Sequence, residues 1–275
     1  MPTFFEIKSF ITHWLDAVDD HSIHSPFFFE VFKVVNRTDE IQGAAEIEAV
    51  RTKLLNNPYA IEVPAMGSKA ASTSGKEKLS DIAAMSLAPQ PLALLYARLI
   101  KYFKAESVVE LGTSLGITTL YLALNKETQV VTLEGNKAAA DIALTNFEFF
   151  DKKNIQLIPG NIDHTLKEAL FNMRRVDFVL IDANHLYEPT MRYFDLVSKR
   201  VKEKSIVIID DIHHSPEMTK AWNEIRKHEL VYGSIDLFRC GILFFEPSLG
   251  KQHFVWEVKW VFQLAMKAVS QMKLI

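Results

Sequence analysis

The part of the chain after residue 106 alternates short hydrophobic runs with longer segments of helical spacing. The first five runs cover Ser107 to Leu111, Gln129 to Glu134, Ile155 to Ile158, Val176 to Asp182 and Ser205 to Asp210. Because each run is hydrophobic almost throughout, it suits a strand that is buried on both faces of a sheet. The alternation therefore predicts an α/β fold in which helices cover both faces of a parallel sheet.

Two more β-like runs follow, at about Leu230 to Asp236 and Phe238 to Phe245. The short gap between them leaves no room for a crossover helix, so we expect this pair to be antiparallel. Together the runs predict a doubly wound sheet of seven strands, six parallel and one antiparallel. The last stretch, from Trp260, has the spacing of a short amphipathic helix.

The N-terminal part has helical spacing instead. Apolar residues recur at steps of three and four from Phe4 to Val18, and similar patterns cover Pro26 to Val35 and about Ala44 to Leu55. Ser25 is expected to cap the second of these helices, with Pro26 in its first turn. The aromatic residues of that helix are expected in the core or at a dimer contact.

Residues Pro64 to Lys78 contain Gly, Ser, Thr and Lys but few large apolar side chains. Such a segment cannot bury a face, so it predicts an exposed, mobile loop. The expected domain organisation is a helical extension over residues 1–79, acting as a substrate lid or a dimer contact, followed by a catalytic domain over residues 80–275.

Charge and cysteine content argue against several classes of protein. The 31 basic and 34 acidic residues are spread along the chain and give a net charge of −3, which argues against a nucleic-acid partner. Cys240 is the single cysteine, so no internal disulfide can form, and its place in a hydrophobic run predicts a small buried residue. No signal-peptide pattern or membrane-spanning apolar run occurs, so we expect a soluble, cytoplasmic protein without a membrane partner.

The strongest functional signal is the segment VVELGTSLG at Val108 to Gly116, directly before a helical run. It places Glu110 and two glycines, Gly112 and Gly116, at a turn from strand to helix. Glycine lets the backbone turn tightly and approach a ligand, and the start of the following helix offers free amide donors. The simpler alternative is a tight turn that binds nothing.

Glu134 ends the second hydrophobic run, 24 residues after Glu110. A carboxylate at this position can accept hydrogen bonds from both hydroxyls of a ribose, as in nucleotide-binding sheets. The alternative is a solvated glutamate at a strand end. Its combination with the glycine turn favours the nucleotide-like ligand.

Five motifs in residues 80 to 246 resemble those of the class I S-adenosylmethionine-dependent methyltransferases. They are ELGTSLG, VVTLEGN, PGNIDHTL, VDFVLIDANHLY and SIVIIDDIHH. The resemblance implies a Rossmann-like fold and S-adenosylmethionine as the methyl donor. It implies donor-binding roles for these residues: Glu110, Gly112, Thr113, Ser114, Gly116, Glu134, Gly135, Asn161, Ile162 and Asp182.

The last two motifs resemble most closely those of the catechol and caffeoyl-coenzyme A O-methyltransferases, which act on small molecules with a hydroxyl acceptor. In that family, aspartates after the fourth and fifth strands hold a divalent ion, and the matching residues here are Asp182, Asp210 and Asp211. Neighbouring parallel strands lie about 4.8 Å apart, so carboxylates at their ends can converge on a hard cation such as Mg²⁺. However, Asp211 stands where those enzymes have Asn, and methyltransferases without a metal also carry acids here.

His185 follows Asp182 by three residues, at the position where the catechol enzymes have a lysine proposed as general base. The resemblance gives Asp182 and His185 the catalytic roles, because a neutral histidine can take a proton from a hydroxyl near pH 7. An exposed loop histidine is the alternative. Tyr187, His213 and His214 also lie in loops after strands, as part of a substrate pocket or as plain surface.

Two other functions remain open from the sequence. An NAD-dependent oxidoreductase also uses a glycine turn and an acid after the second strand, but the spacing G-x-x-x-G lacks the middle glycine of that fingerprint. A non-catalytic protein could keep the fold as a binding module. A nucleic-acid methyltransferase is disfavoured by the acidic balance of charge. A homodimer through the N-terminal helices is a further hypothesis.

Overall fold

A computed structural model of the chain describes residues 3–64 and 75–258. The middle of the predicted loop, residues 65–74, and the predicted helix from Trp260 lie outside the described residues.

The helices of the described residues follow the predicted periodicity closely. They are α1 Phe4–Asp16, α2 Pro26–Val35, α3 Ala44–Leu55, α4 Leu79–Ser86, α5 Gln90–Phe103, α6 Ile117–Leu122, α7 Lys137–Phe149, α8 Ile162–Asn172, α9 Tyr187–Ser198 and α10 Pro216–Ile225. No helix among them is long and apolar enough to cross a membrane.

The strands include every run that the sequence predicts, and three more. They are β1 Ala60–Val63, β2 Gly75–Lys78, β3 Ser107–Leu111, β4 Gln129–Glu134, β5 Ile155–Pro159, β6 Phe178–Ile181, β7 Ile206–Asp210, β8 Gly233–Asp236, β9 Cys240–Phe244 and β10 Gln252–Val255.

The chain divides into two compact units. The first, called here the glycine-turn unit, comprises residues 39–184. The second, called the terminal unit, combines the residues up to 38 with those from 185 onward. The predicted division at residue 79 is a separate hypothesis about function and stays a prediction.

The glycine-turn unit contains four parallel strands in the order β6-β3-β4-β5. All four residues of β6 are buried, as expected for a strand covered on both faces. A separate antiparallel pair joins β1 to β2, so the predicted loop is wrong at residues 75–78. This strand was not predicted because β2 is a polar segment, GKEK, with no hydrophobic signal of its own. It becomes a strand through its pairing with β1.

The terminal unit contains four strands in the order β10-β8-β9-β7. The predicted antiparallel pair is confirmed, since β9 runs antiparallel to both β8 and β7. Strand β10 is additional and pairs parallel with β8. Among the described residues, the two strand orders together contain eight strands, β3 to β10, whereas seven were predicted. The segment QHFV of β10 is short and only partly buried, so it lacks the continuous hydrophobicity used to find the others.

Helix α2 contributes aromatic residues to the core of the terminal unit, although Phe29 is 39% exposed. Phe28 is fully buried and contacts the rings of Phe244 and Phe254. Helix α2 begins at Pro26 after Ser25 as predicted, although the Ser25 side chain makes no capping hydrogen bond. Cys240 is buried, as its place in a hydrophobic run predicts.

Candidate functional site

The glycine turn between β3 and α6 is built so that only glycine fits at its first position. Gly112 has a φ of +99°, and a Cβ atom there would lie 2.0 Å from the carbonyl oxygen of Asp182. The amides of Gly112 and Thr113 both donate to the carbonyl of Leu133, at 3.0 and 3.2 Å. Gly116 has a φ of +81° directly before α6. Hydrogen bonds therefore hold the backbone of the turn in place, and the lack of a side chain at Gly112 lets it lie against the Asp182 carbonyl.

Glu134 lies at the end of β4 and is hydrogen-bonded to this turn. Its Oε2 accepts the amide of Ser114 and its Oε1 accepts the amide of Asn136, both at 2.7 Å. Burial raises the pKa of Glu134, while these backbone hydrogen bonds oppose that shift. Each carboxylate oxygen has further lone pairs, so both can accept another hydrogen bond. The structure thus brings Glu134 together with the glycine turn, which are the two strongest functional signals in the sequence.

Glu110 lies on β3 and is fully buried. Its Oε2 accepts the hydroxyls of Thr119 and Thr132, at 2.5 and 2.6 Å. Since the Thr132 proton is used in this way, the hydroxyl of Thr113 donates to Thr132 at 2.6 Å. This chain of hydroxyls links the glycine turn to the buried carboxylate, and the sequence analysis missed it. Threonines inside the hydrophobic runs VVTLE and ITTLY were the available signal.

Burial raises the pKa of Glu110 to about 8, against the opposing effect of the two threonine hydrogen bonds. The negative charges of Asp182 and Glu134 add to the increase. The other carboxyl oxygen, Oε1, has no hydrogen-bond partner among the described residues. The Glu110 carboxyl group is therefore mostly neutral at pH 7. It is linked to the glycine turn through the hydroxyls of Thr132 and Thr113.

The segment after β5 is attached to the same region. The amide of Gly160 donates to the carbonyl of Glu134 at 2.8 Å. Asn161 caps α8 by accepting the amide of Asp163 at 2.9 Å, and Ile162 is buried in the first turn of α8.

A cleft of about 510 Å³ opens beside Glu134. The residues that line it are Glu62, Val63, Pro64, Gly135, Asn136, Lys137, Ala138 and Asp141. The cleft therefore lies between the end of β1 and the start of α7, next to the predicted ribose-binding carboxylate.

In the terminal unit, charged and aromatic residues gather after β7 and β8. Asp211 forms an ion pair with Arg239 at 2.9 Å, and the amide of Asp211 donates to the Arg239 carbonyl at 2.7 Å. His185, Asp211 and Phe238 have φ values of +43°, +53° and +67°. Left-handed backbone at residues other than glycine costs energy and is concentrated at functional sites. These loops are therefore candidates for ligand contact.

The predicted surface residues of these loops have definite partners. His214 is exposed and lies 3.3 Å from Oε1 of Glu6, and its ring centroid is 6.5 Å from that of His185. The Tyr187 hydroxyl donates to Glu224 at 2.6 Å, and the Lys220 ammonium lies 3.9 Å from the centre of the Tyr187 ring.

Asp236, at the end of β8, is a buried carboxylate that the sequence analysis did not single out. Its Oδ2 accepts the Nε2 of His213 at 2.8 Å and the indole of Trp222 at 3.0 Å, and its Oδ1 accepts the Phe238 amide at 2.9 Å. His13 adds a contact of 3.3 Å to Oδ1. Burial alone would raise the pKa of Asp236, but the hydrogen bonds and charges of the two histidines hold it well below its usual range.

The three predicted metal ligands are distributed over the two units. Asp182 follows β6 in the glycine-turn unit, while Asp210 and Asp211 end and follow β7 in the terminal unit. In residues 3–64 and 75–258, no group of three or more His, Cys, Asp or Glu side chains is arranged to hold a metal ion. Within the terminal unit, the Arg239 guanidinium already pairs with Asp211, one of the predicted ligands.

A family model described as a methyltransferase domain matches residues 109–212, the part that contains the glycine turn, Glu134 and the strand-end aspartates. This stretch of the chain is therefore similar to the methyltransferase domain family. No curated protein sequence matches the chain.

Solved structures of methyltransferases share the fold of this chain. An O-methyltransferase from Bacillus cereus, solved with S-adenosylhomocysteine, is 18% identical, with a TM-score of 0.54 over 75% of this chain and 92% of that one. A putative caffeoyl-CoA O-methyltransferase from Staphylococcus aureus is 15% identical, with a TM-score of 0.53 over 60% and 88%. An O-methyltransferase of tomaymycin synthesis from Streptomyces achromogenes, solved with S-adenosylmethionine, is 13% identical, with a TM-score of 0.53 over 78% and 94%. At these identities the likeness establishes the fold.

Proposed function

We propose that this protein is a methyltransferase that moves the methyl group of S-adenosylmethionine to a hydroxyl oxygen of a small molecule. The observation that carries the proposal is Glu134, whose two carboxylate oxygens are fixed by backbone amides beside the bare turn at Gly112. The O-methyltransferases that share the fold support the choice of acceptor. No observation supports the oxidoreductase or the non-catalytic module.

The residues of the glycine-turn unit suit such a donor. Glu134 would accept the two ribose hydroxyls, since the amides of Ser114 and Asn136 leave lone pairs on both of its oxygens. The backbone from Gly112 to Ser114 would contact the methionine part, and it can take this position because Gly112 has no Cβ atom to collide with the Asp182 carbonyl. Gly135, Asn161 and Ile162 would border the adenine.

The reaction asks little proton chemistry of the protein. The donor supplies a methyl carbon on a positively charged sulfur; the S–C bond breaks, an O–C bond forms, and the hydroxyl proton leaves. The protein aligns the acceptor oxygen with the methyl group, and alignment alone can lower a barrier by several kcal/mol. His185 is our candidate for taking the proton, with Asp182 as the second catalytic residue; both roles remain proposals.

Replacing Glu134 by alanine tests the donor site. We expect the affinity for S-adenosylhomocysteine, measured by calorimetric titration, to fall about 100-fold, because the ribose hydroxyls lose two bonds to a charged acceptor. Glu134→Gln, which keeps one acceptor oxygen, should lie between that variant and the wild type.

The matched control is Glu148→Ala, because Glu148 is exposed on α7. Its affinity should equal that of the wild type. Circular dichroism of each variant separates loss of binding from loss of folding. Unchanged binding in a folded Glu134→Ala variant would remove Glu134 from the donor site, and no binding to folded wild type would overturn the methyltransferase assignment of this site.

The divalent ion at Asp182, Asp210 and Asp211 is a separate hypothesis. Because Arg239 already pairs with Asp211, we expect turnover in EDTA to stay within about twofold of turnover in Mg²⁺. Activity that is lost in EDTA and restored by Mg²⁺ would contradict this and support the three-aspartate site.

Cytoplasmic location and a homodimer through the N-terminal helices remain predictions, the second testable by light scattering.

A further inference from the structure

Helix α1 is attached to the terminal unit by very little buried surface. Of its thirteen residues, His13 alone is buried. Three of its apolar residues, Phe4, Ile11 and Leu15, are 84%, 51% and 70% exposed. A helix that packs on a core normally buries an apolar stripe, and α1 instead buries a histidine. Its docking therefore combines the buried His13 with apolar side chains such as Phe10 that are only partly buried.

The side-chain contacts of α1 reach the loops after β7 and β8. His13 Nε2 lies 3.3 Å from Oδ1 of Asp236, and the ring of Phe10 meets that of Phe238 edge-on at 5.2 Å between centroids. Glu6 lies 3.3 Å from His214. Open α/β sheets bind ligands in the loops after the carboxyl ends of their strands. Helix α1 therefore covers loops of the terminal unit that are expected to contact the acceptor.

Asp236 remains satisfied when α1 is taken away. Three of its four donors, the Nε2 of His213, the indole of Trp222 and the amide of Phe238, belong to other segments of the unit. Removing the last partner of a buried charge is costly, but here the carboxylate would keep three hydrogen bonds. Undocking α1 therefore leaves no buried charge without a partner.

We propose that α1 is a lid over the acceptor side of the terminal unit, held shut by His13 on Asp236, which opens to admit the acceptor. This rests on the proposed function. The charged and titratable groups around the contact are His213, which shares Asp236, and the Glu6–His214 pair nearby. His13 is thus a positioning residue. It contacts the carboxylate of Asp236, which other hydrogen-bond donors hold in place.

Hydrogen exchange of the full chain tests the lid. In His13→Ala we expect the amides of α1 to exchange about ten-fold faster than in the wild type, with those of β3 and β4 unchanged, because opening is local. The control is His21→Ala, since the His21 side chain is 91% exposed, and its α1 amides should exchange as in the wild type. Equal exchange of α1 in the wild type and His13→Ala would overturn the proposal.

Binding and kinetics give an independent readout. In His13→Ala the affinity for S-adenosylhomocysteine should stay within about twofold, because the donor residues lie in the glycine-turn unit, whereas kcat/KM for a trial catechol should fall about ten-fold. Unchanged kcat/KM in His13→Ala would overturn the lid. Absence of donor binding to folded wild type would instead refute the proposed function.

Discussion

Replacing Gly112 by alanine should lower the free energy of unfolding by about 4 kcal/mol and abolish donor binding. Two effects add at this position. The φ of +99° is costly for any residue with a Cβ atom. The new Cβ would also lie 2.0 Å from the carbonyl oxygen of Asp182, a backbone atom that cannot swing aside. The turn would have to move, and with it the amide of Ser114 that holds Glu134.

The matched control for this variant is Gly250→Ala. Gly250 also has a positive φ, +68°, but a Cβ atom there would meet nothing within 4 Å. It should therefore show the backbone cost alone, about 1 kcal/mol. Urea denaturation of both variants measures the difference, and S-adenosylhomocysteine titration of Gly112→Ala measures the loss of the site. An equally small cost at Gly112 and Gly250 would mean that the turn can relax around the new side chain.

Replacing Glu110 by glutamine should change how stability depends on pH. Burial raises the folded-state pKa of Glu110 from its ordinary 4.5 to about 8. Between these values the unfolded chain loses a proton that the folded protein keeps, so Glu110 makes the wild type less stable as pH rises from about 4.5 to 8. Glutamine does not titrate. The stability of Glu110→Gln relative to the wild type should therefore rise by about 3 to 5 kcal/mol between pH 5 and pH 9.

Urea denaturation at several pH values measures this difference. Groups other than Glu110 titrate in both proteins and largely cancel. Glu148→Gln is the control, because Glu148 is exposed and its replacement should leave the difference flat across pH. A flat difference for Glu110→Gln as well would show that Glu110 is ionised in the folded protein, and that a water or ion reaches its Oε1.

A neutral Glu110 has a consequence for the donor site. The negative charges of Glu134 and Asp182 act on Glu110. An ionised Glu110 would add a third negative charge in a fully buried position. Thr119 and Thr132 donate hydrogen bonds to the carboxyl group of Glu110. This group is fully buried and is therefore not exposed to the ligand. Glu134 is then the carboxylate of this turn that can face a ribose.

The α/β class and the predicted strands could be predicted from the sequence, and so could the positions of the glycine turn and of Glu134 at the ends of their strands. These features are encoded locally, because hydrophobic periodicity reports burial within one element and the glycine turn directly follows its own strand. The antiparallel pair β8 and β9 was predictable for the same reason, since the short gap between the runs excludes a crossover helix.

The partners of residues that are distant in sequence are set by the folded structure and not by local patterns. His13 and Asp236 are 223 residues apart, and no local pattern in either segment indicates that they meet. Strand β2 is polar and exists through its pairing with β1, and the hydrogen bonds of the buried Glu110 come from threonines of both α6 and β4. Local spacing reports which face of an element is buried, whereas the packing of remote segments decides which polar group each buried carboxylate meets and hence its charge.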